Sequence, residues 1–302
     1  MLNNKNLKIV IGATLSVLVM IVLILSFVLV EKNKQLKLSD NIRRSAVGLS
    51  NNDSEVNGFS SNIYDEDSYC YEEDNVSGIT LTGDLYTYAV ESTDEDAEYY
   101  TSTGSEDIVY YINEAENDPY MKAIILEIDS WGGEATAGKE VADALKRAQK
   151  PTVAVIREAG TSAAYWAATG ADVIFANTTS NVGSIGVTMS YLDYSRQNDK
   201  DGLIYQQISS GKFKDTGDPD KSLNWEEKQL LQRDTDLLNE IFISEVALNR
   251  DIEVGEVEKL ADGSSMLGQM ALDNGLIDRL GGEYEVKEYL EELLGENVSV
   301  CW

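Results

Sequence analysis

The sequence predicts an α/β domain whose largely parallel sheet is covered by crossover helices. Three observations carry this expectation. Short apolar runs, such as Ala123-Ile124-Ile125-Leu126 and Thr152-Val153-Ala154-Val155-Ile156, read as strands buried on both faces. Helix-period segments alternate with them along the chain. The connections are short, which favours right-handed strand–helix–strand crossovers.

Taken in order, the elements begin with an apolar stretch. Residues 9–30, from Ile9 to Val30, are uncharged and mostly apolar, long enough to cross a hydrocarbon core as a helix. Lys5 and Lys8 lie in the short flank 1–8, and no small-x-small cleavage site closes the run, so a retained transmembrane anchor is expected. Lys32, Lys34 and Lys37 follow it, so the charge balance does not orient the anchor. Residues 31–75 are polar and acidic and read as a stalk. Ordered structure is expected over 76–295, starting at the alternating Val76-Ser77-Gly78-Ile79-Thr80-Leu81, and 296–302 reads as a tail.

An acidic loop from Glu91 to Glu98 follows the first strand. Ile108 to Glu116 reads as a helix, residues 123–128 as a strand and Ala137 to Gln149 as a helix. A strand at 152–156, a helix from Ser162 to Thr169 and a strand at 172–176 continue the alternation. Leu203 to Ile208 alternates like a further strand. A long helix is expected from Trp225 to Asn249, with Asn224 as its N-cap and Glu227 completing a capping box. No internal repeat is visible.

Composition removes several function classes. The chain carries 24 basic and 53 acidic side chains, a formal charge of −29, so a nucleic-acid partner is not expected. It has no histidine and two cysteines, Cys70 and Cys301, which excludes the usual zinc and haem ligand sets. No metal or cofactor is expected, and the two cysteines read as free thiols, with a single disulfide between them as the alternative the sequence leaves open.

The chemistry-bearing residues follow the buried strands. Asp129-Ser130-Trp131-Gly132-Gly133 ends the first of them, where paired glycines let backbone N–H groups face a cavity, as an oxyanion hole requires. The same pair equally serves a tight strand-to-helix turn. Ser162, in Gly160-Thr161-Ser162-Ala163-Ala164, sits where a strand gives way to a helix and is a candidate nucleophile or an N-cap. A histidine-based hydrolase triad is ruled out by composition, which leaves lysine as the base. Ser210-Gly211-Lys212-Phe213-Lys214 offers two lysines that spacing does not separate, since on a strand both point the same way. A free lysine titrates near about 10.4, and burial among apolar groups lowers that toward a usable base.

Five segments occur in order: Ile128-Asp129-Ser130-Trp131-Gly132-Gly133, the Ser162 segment, Asn181-Val182-Gly183-Ser184-Ile185-Gly186-Val187, Ser210 to Asp215, and Gln269-x-Ala271-x-x-x-Gly275-Leu276-Ile277-Asp278. Together they resemble the signal peptide peptidase A family in its short, single-repeat, membrane-anchored bacterial form. The resemblance covers about residues 76–295. It implies the Clp-protease/crotonase fold and a serine endopeptidase with a Ser–Lys dyad. Carried over by motif, Ser162 is the nucleophile, Lys214 the base, Gly132 and Ala163 the oxyanion hole, and Ser184 a support for the lysine. It further implies a homo-oligomeric ring with the dyad shared between protomers, a catalytic domain outside the cytoplasmic membrane, and leftover signal peptides or other short apolar peptides as substrates. The chain departs from the family pattern at Trp131, where proline is usual, and at Ala163-Ala164, where two glycines are usual. Trp131 is expected to line the substrate pocket. A non-catalytic ring-forming scaffold and an acyl-CoA enzyme of crotonase-like fold are the alternative readings, the latter without a basic cluster for the phosphates.

Overall fold

The computed structural model describes residues 70–71, 73–90 and 101–302. The anchor expected at 9–30, its flank, the stalk through 69 and the acidic loop at 91–98 lie outside the described residues. Among the described residues, no helix is long and apolar enough to cross a membrane.

The expected alternation is present. β1 (Val76–Tyr86) and β2 (Ser102–Gly104) lead into α1 (Ser105–Asn117), β3 (Ala123–Gly133), α2 (Ala135–Arg147) and β4 (Thr152–Thr161). α3 (Ala163–Ala168), β5 (Val173–Ala176), β6 (Asn181–Gly183) and the short α4 (Ser195–Asp201) follow. The long α5 (Trp225–Arg250) precedes α6 (Val254–Leu260), β7 (Ser265–Leu267) and α7 (Gly268–Asp273). β8 (Arg279–Leu280), α8 (Glu283–Leu294) and β9 (Val300–Cys301) complete the chain. The main sheet has the order β2-β1-β3-β4-β5-β8, with every pairing in it parallel. β4 divides: its first half pairs with β5, and its last residues pair with β6, which runs antiparallel to β7.

The continuous apolar runs are explained by two buried faces. Ile124, Leu126, Ile128, Ala154 and Ile156 join the larger core with residues of α1, α2, α3 and α5. Their neighbours Ala123, Ile125, Val153 and Val155 face the opposite side, under Val286 and Leu290 of α8. Helix α5 starts where the sequence places it. The Asn224 side chain accepts from the Glu227 N–H at 2.9 Å, and the Glu227 carboxylate accepts from the Asn224 N–H at 3.0 Å.

Three expectations are corrected. Leu203 to Ile208 forms no strand, because no neighbouring strand takes up its backbone groups, and Ile204 and Ile208 stand 80% and 99% exposed. Cys70 and Cys301 are joined in a disulfide, with Cα atoms 5.1 Å apart, in place of two free thiols. Residues 296–302 are no loose tail: β9 pairs in parallel with the start of β1, Val76 opposite Val300. Asn75 donates to the Asn297 carbonyl at 3.0 Å, Ser299 donates to Asp74 at 2.6 Å, and Lys122 pairs with Glu296. These contacts and the disulfide bring the end of the expected stalk into the domain.

The α5 cap makes a stability prediction. Asn224→Ala should cost about 1 kcal/mol, which is about 2–4 °C in Tm for a domain of this size. The Lys221 ammonium and the Asn224 N–H hold the buried Glu227 carboxyl below the ordinary carboxylate range. A pKa depressed by folding stabilises above the unfolded value of about 4.3, and the contribution is lost as pH falls below it. Glu227→Gln should therefore narrow the difference in denaturation free energy between about pH 6 and about pH 3. Urea titrations of both chains at the two pH values check this.

Candidate active site

Strand β4 carries the candidate nucleophile to the end of the sheet. Ser162 stands between β4 and α3 with φ 53° and ψ −125°. That conformation costs a non-glycine residue roughly 1–3 kcal/mol and persists only where the surroundings hold it. The N–H of Ser162 donates to the Gly183 carbonyl at 2.8 Å, and its carbonyl accepts from the Trp166 N–H at 2.9 Å. The residue occupies the N-cap position of α3, yet its side chain makes no capping hydrogen bond. The N-cap reading of this serine therefore fails, and its Oγ has no hydrogen-bond partner among the described residues.

Gly132 faces this serine across the β3–β4 junction with φ 117°. A Cβ there would lie 2.8 Å from the Ser162 Cβ, 3.0 Å from the Thr161 carbonyl oxygen and 3.2 Å from the Ala163 nitrogen. Glycine at 132 is thus required both by its backbone angle and by the closeness of Ser162. A second close approach comes from α2, where a Cβ on Gly138 would lie 2.4 Å from the Ala163 carbonyl oxygen. Ala163 and Ala164 stand where the resemblance has two glycines, and both are buried in the core, so the turn accommodates their methyl groups. Ala163 opens α3, where N–H groups have no partner within the helix.

The Gly132 N–H itself is not directed at solvent. It donates to the Oγ of the buried Ser130 at 3.1 Å. The preceding carbonyl, that of Trp131, accepts from the buried Thr161 hydroxyl at 2.9 Å, while the Trp131 side chain is 60% exposed.

The lysine lies on an excursion from the body. Residues 188–223 leave β6 and return at α5, and the path is closed at its base by Asp193. The Asp193 carboxylate accepts from Ser195 at 2.5 Å and from Ser222 at 2.6 Å, and these hydroxyls hold it down to about 2. Lys214 sits in an exposed turn braced by Tyr205, whose hydroxyl donates to Asp215 at 2.8 Å and to Asp218 at 3.2 Å. The turn separates two lysines that the sequence left equivalent. Lys212 pairs with Glu226 of α5 at 2.5 Å, whereas Lys214 has no side-chain partner among the described residues. No hydrogen bond joins Lys214 to Ser162 among the described residues. Ser184, with φ 51°, donates its hydroxyl to the Gly263 carbonyl at 2.8 Å, and its remaining capacity is as an acceptor.

The Gln269-to-Asp278 motif proves to be a frame behind the serine. The Tyr165 hydroxyl, on the helix that Ser162 opens, donates to the Leu276 carbonyl at 2.8 Å. Burial pushes this phenol up from its usual range, so it stays a donor. Asp278 accepts from the Ile174 N–H at 2.7 Å and from the Arg250 guanidinium at 2.6 Å. Ser130, Thr161 and Tyr165 carry no periodic signal in the sequence, and only their position beside the glycine pair or the serine could have marked them. Among the described residues, Cys70, Asp74 and Cys301 bring three metal-ligand side chains together, but both sulfurs are taken up by the disulfide.

The glycine geometry is testable by stability. Gly132→Ala should destabilise by roughly 1–3 kcal/mol, because the methyl meets Ser162 and the backbone angle disfavours any side chain. Gly255→Ala, where a Cβ meets nothing within 4 Å on helix α6, should instead stabilise by about 0.5–1 kcal/mol. Equal effects in chemical denaturation would contradict the close approach at Gly132.

Comparison with known proteins places the chain among peptidases. The chain is 35% identical over 201 residues to the candidate protease MJ0651 of Methanocaldococcus jannaschii, covering 64% of this chain and 63% of that protein. It is 29% identical over 184 residues to a candidate signal peptide peptidase SppA of Enterococcus faecium, covering 60% of this chain and 54% of that one. The chain thus spans less than two thirds of the length of these relatives. Among solved structures, a ClpP1 variant from Listeria monocytogenes superposes with a TM-score of 0.45 at 13% identity, covering 69% of this chain and 92% of its own. The sequence pattern of Peptidase family S49 matches residues 144–297, half of the chain, and this protein belongs to that family.

Proposed function

We propose that this protein is a membrane-anchored serine endopeptidase that works with a Ser–Lys dyad in a chain without histidine. The observation that carries the reading is Ser162 itself: a strained, uncapped serine at a strand–helix junction, with the backbone of Gly132 and Ala163 packed against it. Ser162 Oγ attacks the scissile carbonyl, and its proton passes to Lys214 Nζ. The lysine returns that proton to the leaving amine, and water then cleaves the acyl-enzyme.

The oxyanion is received by the Ala163 N–H and an N–H of the glycine turn. Since the Gly132 N–H is engaged by Ser130, Gly133 is the better placed donor of the pair. The next N–H along, that of Glu134, goes to the Leu85 carbonyl of β1 at 2.8 Å. With both of its neighbours so engaged, the Gly133 N–H is the one this turn leaves for the oxyanion.

Lys214 reaches the serine of a neighbouring protomer in a homo-oligomeric ring. Two features support this: the lysine's exposed position on the 188–223 excursion, and the uncovered apolar side chains there, including Leu192, Leu203, Ile204 and Ile208. Ser184 accepts a hydrogen bond from the lysine in that assembly. The anchor is the apolar run at 9–30, and the catalytic domain lies outside the cytoplasm. The Cys70–Cys301 disulfide supports that side, because such bonds persist in oxidising compartments. The substrates are leftover signal peptides and other short apolar peptides, with Trp131 forming a wall of the pocket for the residue before the scissile bond.

Four outcomes test the reading. Ser162→Ala and Lys214→Ala should each abolish cleavage of an apolar peptide, while Lys212→Ala keeps most of it. Mixing the two inactive variants under subunit exchange should restore part of the activity, and no recovery would place both residues in one chain. The activity should rise toward alkaline pH without a step near about 6.5, where a histidine would titrate. Trp131→Pro should broaden the cleavage profile from alanine toward leucine at the residue before the cut, as read by mass spectrometry on a peptide library.

A further inference from the structure

We infer that Ser130 and Thr161 are positioning residues that clamp one peptide plane of the oxyanion turn from both of its polar ends. The inference rests on the serine-peptidase reading of Ser162. The Trp131 carbonyl and the Gly132 N–H belong to the same peptide unit. Thr161 Oγ1 donates to that carbonyl at 2.9 Å, and Ser130 Oγ accepts from that N–H at 3.1 Å. Both hydroxyls are buried, Ser130 at 1% and Thr161 at 2% exposure. The Ser130 proton faces the Gly132 carbonyl at 3.5 Å, too far to bind it strongly, so its main role here is as acceptor.

The need for a clamp follows from the two glycines. Gly132 at φ 117° and Gly133 at φ 155° have no Cβ to restrict them, and such a turn has many accessible conformations. An oxyanion hole works only if its donors are in place before charge develops. Rotation of the Trp131–Gly132 plane would change the path of the turn and move the Gly133 N–H with it. It would also break two hydrogen bonds in a site that water does not enter freely, leaving buried polar groups unpaired. The two hydroxyls therefore convert a permissive sequence into one geometry.

Thr161 has a second consequence. It immediately precedes Ser162, and its own carbonyl oxygen is one of the atoms a Cβ on Gly132 would meet, at 3.0 Å. Its side chain thus ties the hole-bearing end of β3 to the nucleophile-bearing end of β4. Hole and nucleophile shift together or not at all. Gly132, in this arrangement, contributes its missing Cβ, and its N–H serves to orient the turn.

The test uses the full chain in detergent, with a fluorophosphonate probe, a peptide substrate and amide exchange. Thr161→Val, isosteric but without the hydroxyl, should slow labelling of Ser162 about tenfold. That is less than the about 100–1000-fold loss expected on removal of a direct donor. On the peptide, kcat should fall by the same factor with KM unchanged, since the ground state does not use the hole. Thr161→Ser, which keeps the hydroxyl, should recover most of the rate, and Ser130→Ala should behave as Thr161→Val does. Unchanged labelling in both Thr161→Val and Ser130→Ala, with the wild type reactive, would overturn the clamp. If the wild type takes no label, the peptidase reading fails, and exchange of the Gly132 amide decides the clamp alone. That amide should be protected in the wild type and exchange at least about tenfold faster in Ser130→Ala, with the β3 core amides unchanged as the control for unfolding. Equal exchange in the two chains would overturn it.

Discussion

The close approach of the β3 and β4 ends is the constraint on which the site depends. Gly132 lies so near Ser162 that a single methyl group there would stand 2.8 Å from the serine's Cβ. That proximity is possible because the two strands are adjacent and parallel, with a register shift between Ile128 and Ser130 just before the turn. Past the shift the last residues of β3 stay paired with β1, Asp84 opposite Gly132 and Leu85 opposite Gly133, while on the β4 side Gly132 meets the start of α3. The strained backbone of Ser162 is held from the other side by the Gly183 carbonyl of β6. Three strand ends therefore define one position for one hydroxyl.

Behind that position the structure is closed by paired polar groups. Tyr165 reaches the Leu276 carbonyl, and Asp278 collects the Ile174 N–H and the Arg250 guanidinium. A buried polar group is costly when alone and neutral to favourable when matched, so this frame fixes the orientation of α3 without exposing it to water. Trp166 of the same helix stacks on Phe242 of α5 with ring centroids 4.6 Å apart, which anchors the helix from the core side. The serine stands at the solvent end of an element whose every side chain is buried.

The rest of the domain is organised to leave one region uncommitted. Residues 188–223 carry Lys214, and they carry apolar side chains that the other described residues leave exposed. The opposite end of β1 is held firmly, by the disulfide, by β9 and by Trp302, whose ring fills the space a side chain at Gly78 would need. Stability is thus concentrated around the sheet, and the excursion depends on a few polar ties at Asp193 and Tyr205.

How much of this was legible in the sequence follows the range of the interactions involved. The alternation of strands and helices, the parallel sheet and the Asn224–Glu227 cap are local or periodic, and the sequence alone determined them. The candidate serine was legible because its residue type and its place after an apolar strand are both local facts. The sequence left Ser162 open as an N-cap, and only the folded turn showed that its side chain caps nothing. It read Leu203 to Ile208 as a strand because alternation says nothing about whether a partner strand exists. It read two free thiols because Cys70 and Cys301 are 231 residues apart, and only the pairing of β9 with β1 brings them together. The roles of Ser130 and Thr161 were likewise beyond it: a hydroxyl becomes a clamp only when a peptide from another strand is placed against it, and that placement is a property of the tertiary structure.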